Sequence, residues 1–229
     1  DDPDGDLWKR ANWELETNEM TANDMRLDAL RDATSVPELE TYLDTIVRFG
    51  RPPGLSLAVV KNGAVVYSRG FGLADGPRQA PATADTVYRW WSMTKIPTAV
   101  AVLQLQERGL VSLEDPVSKH LPFFQIRYPS AESPVTTIRH LLNHSSGLPN
   151  LGLGLVRLLH REGDPPVNQT ALVKRILPEY SKLLFEPGSQ TAYTNFGYMA
   201  LGAVIEKVAQ QSYEDYVRLS YDLIKRGDR

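Results

Sequence analysis

Apolar residues recur with helical spacing at Leu39, Leu43, Ile46 and Val47, which places them on one face of a helix running to Arg48. Its start reads from Ser35-Val36-Pro37-Glu38, where Pro37 falls in the first turn and needs no intrahelical N–H partner, and Gly50 stops it. Residues 55–61 and 64–69 are then β-rich and flank Asn62-Gly63, the favoured two-residue type I′ turn, so they predict an antiparallel hairpin within 55–70. Residues 72–84, rich in Ala, Gly and Pro, read as a loop, and the aromatic run Tyr88-Arg89-Trp90-Trp91 reads as packing with one ring free to line a pocket. Ile96, Ala99, Val100, Val102, Leu103 and Leu105 make the next helix apolar on most sides until Gly109 ends it, which predicts a buried central helix. From Leu110 to Gly188 the chain reads as helices and loops, and 196–210 as a further helix.

Residues 1–35 are rich in Asp, Glu and Asn and read as an arm or extension, with a short helix near 25–31. The main domain is expected over 36–229, its helical part at about 86–218. At 229 residues, 42% hydrophobic and 23% charged, the composition is that of a globular protein able to bury one large core or two smaller ones. A net charge of −3 without a basic block argues against nucleic acid as the main partner. The absence of cysteine excludes disulfides and Cys-based zinc sites. No apolar run has the length of a membrane span, and the acidic start Asp1-Asp2-Pro3-Asp4-Gly5-Asp6 is not a signal peptide.

The strongest chemical signal is Ser92-Met93-Thr94-Lys95. Residues three apart share a helix face, so Lys95 stands beside the Ser92 hydroxyl. Pro97 is tolerated only in the first turn, which puts Ser92 at the amino end, where unpaired N–H groups favour the negative charge of an attacking serine. Alone, the same four residues describe an N-cap serine and a surface lysine. Their company changes the reading: Tyr193-Thr194-Asn195 follows the turn Phe185-Glu186-Pro187-Gly188 and precedes a helix, so its side chains lie on a loop at a helix start.

Together with Ile138-Arg139-His140-Leu141-Leu142-Asn143-His144-Ser145-Ser146-Gly147-Leu148-Pro149 and Gly109-Leu110-Val111-Ser112-Leu113-Glu114-Asp115-Pro116-Val117, these segments resemble the serine β-lactamase and penicillin-recognising superfamily, in its class C-like branch of family VIII esterases and D-amino-acid peptidases. The likeness runs from about residue 37 to 218. It implies an α+β, β-lactamase/transpeptidase-like fold, with an antiparallel sheet domain beside a helical one. It also implies a serine hydrolase that acts through an acyl-enzyme on a lactam, amide or ester, with Ser92 as nucleophile, Lys95 as its activating partner, Tyr193 as general base or proton shuttle, and Asn195 as donor to substrate or Lys95. A small-molecule acyl substrate and no cofactor or metal follow from that chemistry, and the family favours a periplasmic or secreted location. A free tyrosine ionises near pH 10, so a working phenolate costs about 4 kcal/mol near neutrality. One cation about 4 Å away at an effective dielectric of about 20 supplies roughly that much before desolvation is subtracted.

The family's third motif, Lys or His followed by a small residue and Gly on a sheet strand, has no convincing copy: Lys225-Arg226-Gly227 lies too soon after Tyr193 and reads as a polar terminus, and Lys61-Asn62-Gly63 is the hairpin turn. Two predicted strands against a family sheet of about five leave three alternatives. The chain is a fragment of a longer enzyme, a partner chain completes the sheet, or it is a shortened and catalytically impaired binding or assembly protein. His140 and His144 are four apart and share a helix face, as metal ligands can, but no glutamate follows His140, so they read as hydrogen-bonding residues that hold the 145–149 loop. His120 and His160 read as surface or helix-end residues, and Gly152-Leu153-Gly154 lacks a phosphate-loop continuation.

Overall fold

The computed structural model describes residues 33–48, 52–151 and 168–218. The short helix expected at 25–31, His160, Gly152-Leu153-Gly154 and Lys225-Arg226-Gly227 lie outside the described residues. The chain forms two compact units, Asp1–Arg89 and Trp90–Arg229.

In the first unit, Asn62 and Gly63 take left-handed backbone, with φ of 52° and 76°, as a type I′ turn requires at both central positions. They join β1 (Gly54–Lys61) to β2 (Ala64–Asp75) in an antiparallel pair with a bulge at Val59/Val60. The hairpin is the predicted one, but β2 runs on to Asp75 and pairs with a two-residue β3 (Ala80–Pro81), so part of the 72–84 segment is sheet rather than loop. Close backbone approach explains the small residues here, since a Cβ on Gly70 would lie 2.2 Å from the Ala82 carbonyl oxygen. Helix α1 (Val36–Arg48) buries Leu43, with Leu39, Ile46 and Val47 half-buried. Its Glu40 accepts a hydrogen bond from the Tyr67 hydroxyl (2.9 Å) and pairs with Arg69 (2.6 Å), fixing the helix to β2.

The second unit contains α2 (Lys95–Glu107), α3 (Val117–His120), α4 (Ile138–Leu142), α5 (Gln169–Tyr180) and α6 (Asn195–Ala209), and the chain is helical again over 213–218. Helix α6 is the central one: Phe196, Ala200, Leu201, Ala203, Val204 and Ile205 are fully excluded from solvent, and α2, α3, α4 and α5 pack on it. This corrects the expectation for the serine helix. In α2, Thr98, Ala101, Val102 and Leu105 are buried, whereas Ile96 (56%) and Leu103 (48%) stay exposed. The difference lies in side-chain size, because Gly197, Ala200, Gly202 and Ala203 let neighbours approach α6 from several sides, and α2 has one close-packed face. Full burial of a residue such as Leu201 contributes about 1.5–3 kcal/mol. The buried Glu206 carboxylate of α6 accepts the Gln169 and Thr170 N–H groups (2.8 Å each) and the Thr170 hydroxyl (2.7 Å), satisfying donors that the start of α5 would otherwise leave unpaired.

The aromatic run does not pack as expected: Tyr88, Trp90 (58%) and Trp91 (60%) are exposed, on a stretch without regular structure before Trp91, and the Tyr88 hydroxyl bonds Ser56 Oγ (2.9 Å). His120 is a helix-end residue, as one of its two readings had it, but not a surface one. It ends α3, its side chain is only 10% exposed and its Nε2 lies 2.8 Å from Asp115 Oδ2. Asp115 also bonds Lys119 Nζ (2.6 Å) and the Ser112 N–H (3.0 Å). Burial raises the Asp115 carboxyl, but these three donors outweigh it and hold its pKa at about 2, below the ordinary 3.8. A depressed carboxylate pKa stabilises the fold above its unfolded value and loses that contribution as the proton returns. Denaturant midpoints should therefore fall as the pH drops from 3.8 through about 2, and Asp115→Asn should lower the midpoint at neutral pH while flattening that acid dependence. An Asp115→Asn profile parallel to the parent's would contradict the assignment.

Candidate active site

The backbone from Trp91 to Thr94 winds as one 3-10 turn that runs directly into α2, with the Met93 N–H bonded to Trp90 O (2.9 Å). Ser92 thus sits just before the α-helix rather than within it. The three-residue spacing still brings Lys95 Nζ to 3.4 Å from Ser92 Oγ. Tyr193 and Asn195 come from a distant part of the sequence, on the short loop that opens α6. The Tyr193 hydroxyl lies 2.5 Å from Ser92 Oγ and 3.2 Å from Asn195 Oδ1. Lys95 donates to the same Asn195 Oδ1 at 2.7 Å, so toward Lys95 Asn195 is an acceptor rather than the expected donor, and the ammonium lies 4.8 Å from the Tyr193 ring centroid and 5.5 Å from that of Tyr198. All four sequence-predicted residues therefore meet in one cluster inside the second unit.

The 143–150 segment supports this cluster from below. Gly147 has φ 77°, and a Cβ there would stand 2.2 Å from the Phe185 carbonyl oxygen, so only glycine fits. Leu184 N–H bonds Gly147 O and Gly188 N–H bonds Ser145 O, both at 2.8 Å. Asn150 Oδ1 accepts the Asn195 backbone N–H (3.1 Å) and side-chain Nδ2 (3.3 Å), which turns the Asn195 carbonyl toward Lys95. Both histidines are hydrogen-bonding residues, and His140 helps hold the 145–149 loop as expected, its carbonyl accepting the Ser145 N–H (2.9 Å). His140 caps its own helix, its Nδ1 accepting the Thr137 N–H (3.2 Å), and His144 Nδ1 accepts the Thr194 N–H (3.3 Å), while Asn143 Oδ1 bonds the Ser145 N–H and hydroxyl. The ring nitrogens themselves bond backbone outside that loop, at Thr137 and Thr194.

A cavity of about 290 Å³ opens beside the serine, lined by Trp91, Ser92, Lys95, Tyr198, Met199 and Tyr213 among others. At its wall the Thr98 and Tyr213 hydroxyls bond at 2.6 Å. Asn150, Tyr198 and Tyr213 were not singled out from the sequence. Tyr198 lies three residues after Asn195 on α6, a spacing that places it on the same face, whereas nothing local marks Asn150 or Tyr213.

The beta-lactamase family model matches residues 39–219. The chain belongs to the beta-lactamase family. Protein flp of Staphylococcus aureus (strain MRSA252) is 32% identical to it over 187 residues, covering 82% of this chain and 36% of flp. Among solved structures, the octameric penicillin-binding protein homologue from Pyrococcus abyssi aligns with TM-score 0.67 and 33% identity over 81% of this chain and 42% of that one. EstCE1, a hydrolase with promiscuous acyltransferase activity, aligns with TM-score 0.67 and 25% identity over 91% of this chain and 52% of its own. The chain thus spans well under two thirds of each of these relatives.

In this beta-lactamase-family site the electrostatics favour an ionisable phenol. Desolvation raises the Tyr193 pKa, but the Lys95 ammonium and the Ser92 hydroxyl outweigh it and leave the phenol below its ordinary 10.0. Burial, with Tyr193 nearby, pushes Tyr198 the other way. Ultraviolet difference titration, with Tyr193→Phe subtracted, should show one phenol ionising below 10.0, and Lys95→Met should move it upward. An unmoved titration would mean that Lys95 does not act on the phenol.

Proposed function

We propose that the whole protein is a serine hydrolase that forms an acyl-enzyme on Ser92, with a small-molecule lactam, amide or ester as substrate. The observation that carries this is the contact of the Tyr193 hydroxyl with Ser92 Oγ at 2.5 Å while Lys95 stands 3.4 Å from the same oxygen. A serine hydroxyl is a weak nucleophile until a neighbouring base takes its proton. In this scheme Tyr193, ionised with the help of Lys95, accepts the Ser92 proton as Oγ attacks the carbonyl carbon. The C–O bond to serine forms and the carbonyl becomes an oxyanion. Collapse breaks the bond to the leaving nitrogen or oxygen, which takes the proton from Tyr193. Water then attacks the ester and gives its proton to the same phenolate, and collapse breaks the bond to Ser92 Oγ, which takes that proton from Tyr193 as the acid leaves. Lys95 stays cationic throughout, oriented by Asn195 Oδ1 at 2.7 Å.

The cavity beside Ser92, walled by Trp91, Tyr198, Met199 and Tyr213, suits an apolar portion of the acyl group. EstCE1, named as a hydrolase with acyltransferase activity, supports acyl transfer as the reaction type.

Steady-state hydrolysis of p-nitrophenyl butyrate and of a chromogenic cephalosporin by the whole protein tests the proposal. Ser92→Ala should abolish turnover of whichever is accepted, and Tyr193→Phe should lower kcat/KM by about a hundredfold or more. Turnover that survives Ser92→Ala would remove Ser92 as nucleophile. A protein inert toward both substrates would favour a binding or assembly role.

A further inference from the structure

His144 shares left-handed backbone with Trp91 and Gln210 among the described non-glycine residues of the second unit, and it is the one that lies against Tyr193. Its φ is 61°, in the left-handed region that non-glycine residues seldom occupy, although His and Asn tolerate it better than most. That conformation sends its two polar groups to the backbone on either side of Tyr193. The His144 carbonyl accepts the Ala192 N–H at 2.9 Å, and its Nδ1 accepts the Thr194 N–H at 3.3 Å. The imidazole also packs on the Tyr193 ring, with centroids 4.7 Å apart, and on Tyr198 at 5.1 Å. One side chain and its own carbonyl therefore hold the backbone on both sides of Tyr193.

We infer that His144 is a positioning residue for Tyr193, holding the 192–195 loop through a neutral imidazole and releasing it on protonation; this rests on the reading of Tyr193 as proton carrier. An Nδ1 that accepts an N–H must be unprotonated, which places the ring's proton on Nε2. The groups facing the imidazole are Lys95 from α2, Tyr193 from the loop and Tyr198 from α6. Burial first, and the Lys95 charge second, hold the His144 pKa below its ordinary 6.5. The neutral form thus prevails at physiological pH, and the support is lost only as the pH falls through that depressed value. Protonation would turn Nδ1 into a donor facing the Thr194 N–H and set a second cation near Lys95, so the loop would lose its anchor beside the phenol.

His144→Asn separates support from titration, because an asparagine Oδ1 can accept the Thr194 N–H and the residue tolerates left-handed backbone, yet it does not ionise. His144→Ala removes the acceptor. In the whole protein, kcat/KM against pH for p-nitrophenyl butyrate should fall about tenfold or more at the plateau in His144→Ala. It should stay near the parent's plateau in His144→Asn, with activity persisting to lower pH. The Tyr193 phenol titration should move upward in His144→Ala and remain in place in His144→Asn. A His144→Asn acid limb that superimposes on the parent's would overturn the release on protonation. A His144→Ala plateau and phenol titration equal to the parent's would overturn the positioning role. If the parent shows no Ser92-dependent turnover, the hydrolase reading fails by itself, and the phenol titrations of the two variants alone decide the role of His144.

Discussion

The hydrogen bond from Lys95 Nζ to Asn195 Oδ1, 2.7 Å long, is the constraint on which the rest of the site depends. An ammonium taken partly out of water must be paired or solvated by fixed dipoles, and here the Asn195 amide carbonyl, the Ser92 hydroxyl and two aromatic faces do so. The bond ties the start of α2 to the start of α6, two elements about a hundred residues apart in sequence. With the ammonium fixed, Ser92 and Tyr193 are brought to one side of it. Asn195 is oriented in turn by Asn150, and Asn150 belongs to a loop whose path requires glycine at 147. A chain of side-chain and backbone hydrogen bonds thus ends at Ser92 and Tyr193, the two groups whose separation the proposed chemistry needs.

The fold places this chain of support where it can be stiff. Helix α6 is buried along most of its length, and its amino end is where the Tyr193–Asn195 loop enters. Packing of α2, α4 and α5 against α6 fixes the position of that end, so the loop inherits the precision of the core. The Tyr193 side chain itself is half-exposed, which leaves its hydroxyl reachable by a substrate. Membership of the beta-lactamase family agrees with this architecture.

Signals that act over a few residues were legible in the sequence. Asn62-Gly63 predicted the hairpin because both positions need left-handed backbone, and Ser92 and Lys95 were paired by helix geometry. The same local logic failed where partners lie far apart. The apolar character of α2 suggested a central helix, yet the small residues of α6 decide which helix neighbours can surround. His120 read as a surface or helix-end residue and does end α3, but its burial beside Asp115, which also bonds Lys119 and the Ser112 N–H, was not legible. Asn150 carries no local mark because its role exists only once Asn195 is beside it. The strand added by Ala80–Pro81 was hidden for a related reason: its pairing depends on β2 continuing past Gly72.

The claim that Ser92 is the activated nucleophile is tested most directly by labelling the whole protein with a fluorophosphonate and locating the adduct by peptide mass mapping. A single adduct on Ser92, formed in the parent and lost in Tyr193→Phe at matched exposure, is the expected result. An adduct on another serine, or labelling of Ser92 at the same rate without the phenol, would contradict the assignment of the Ser92, Lys95, Tyr193 and Asn195 cluster as one catalytic unit.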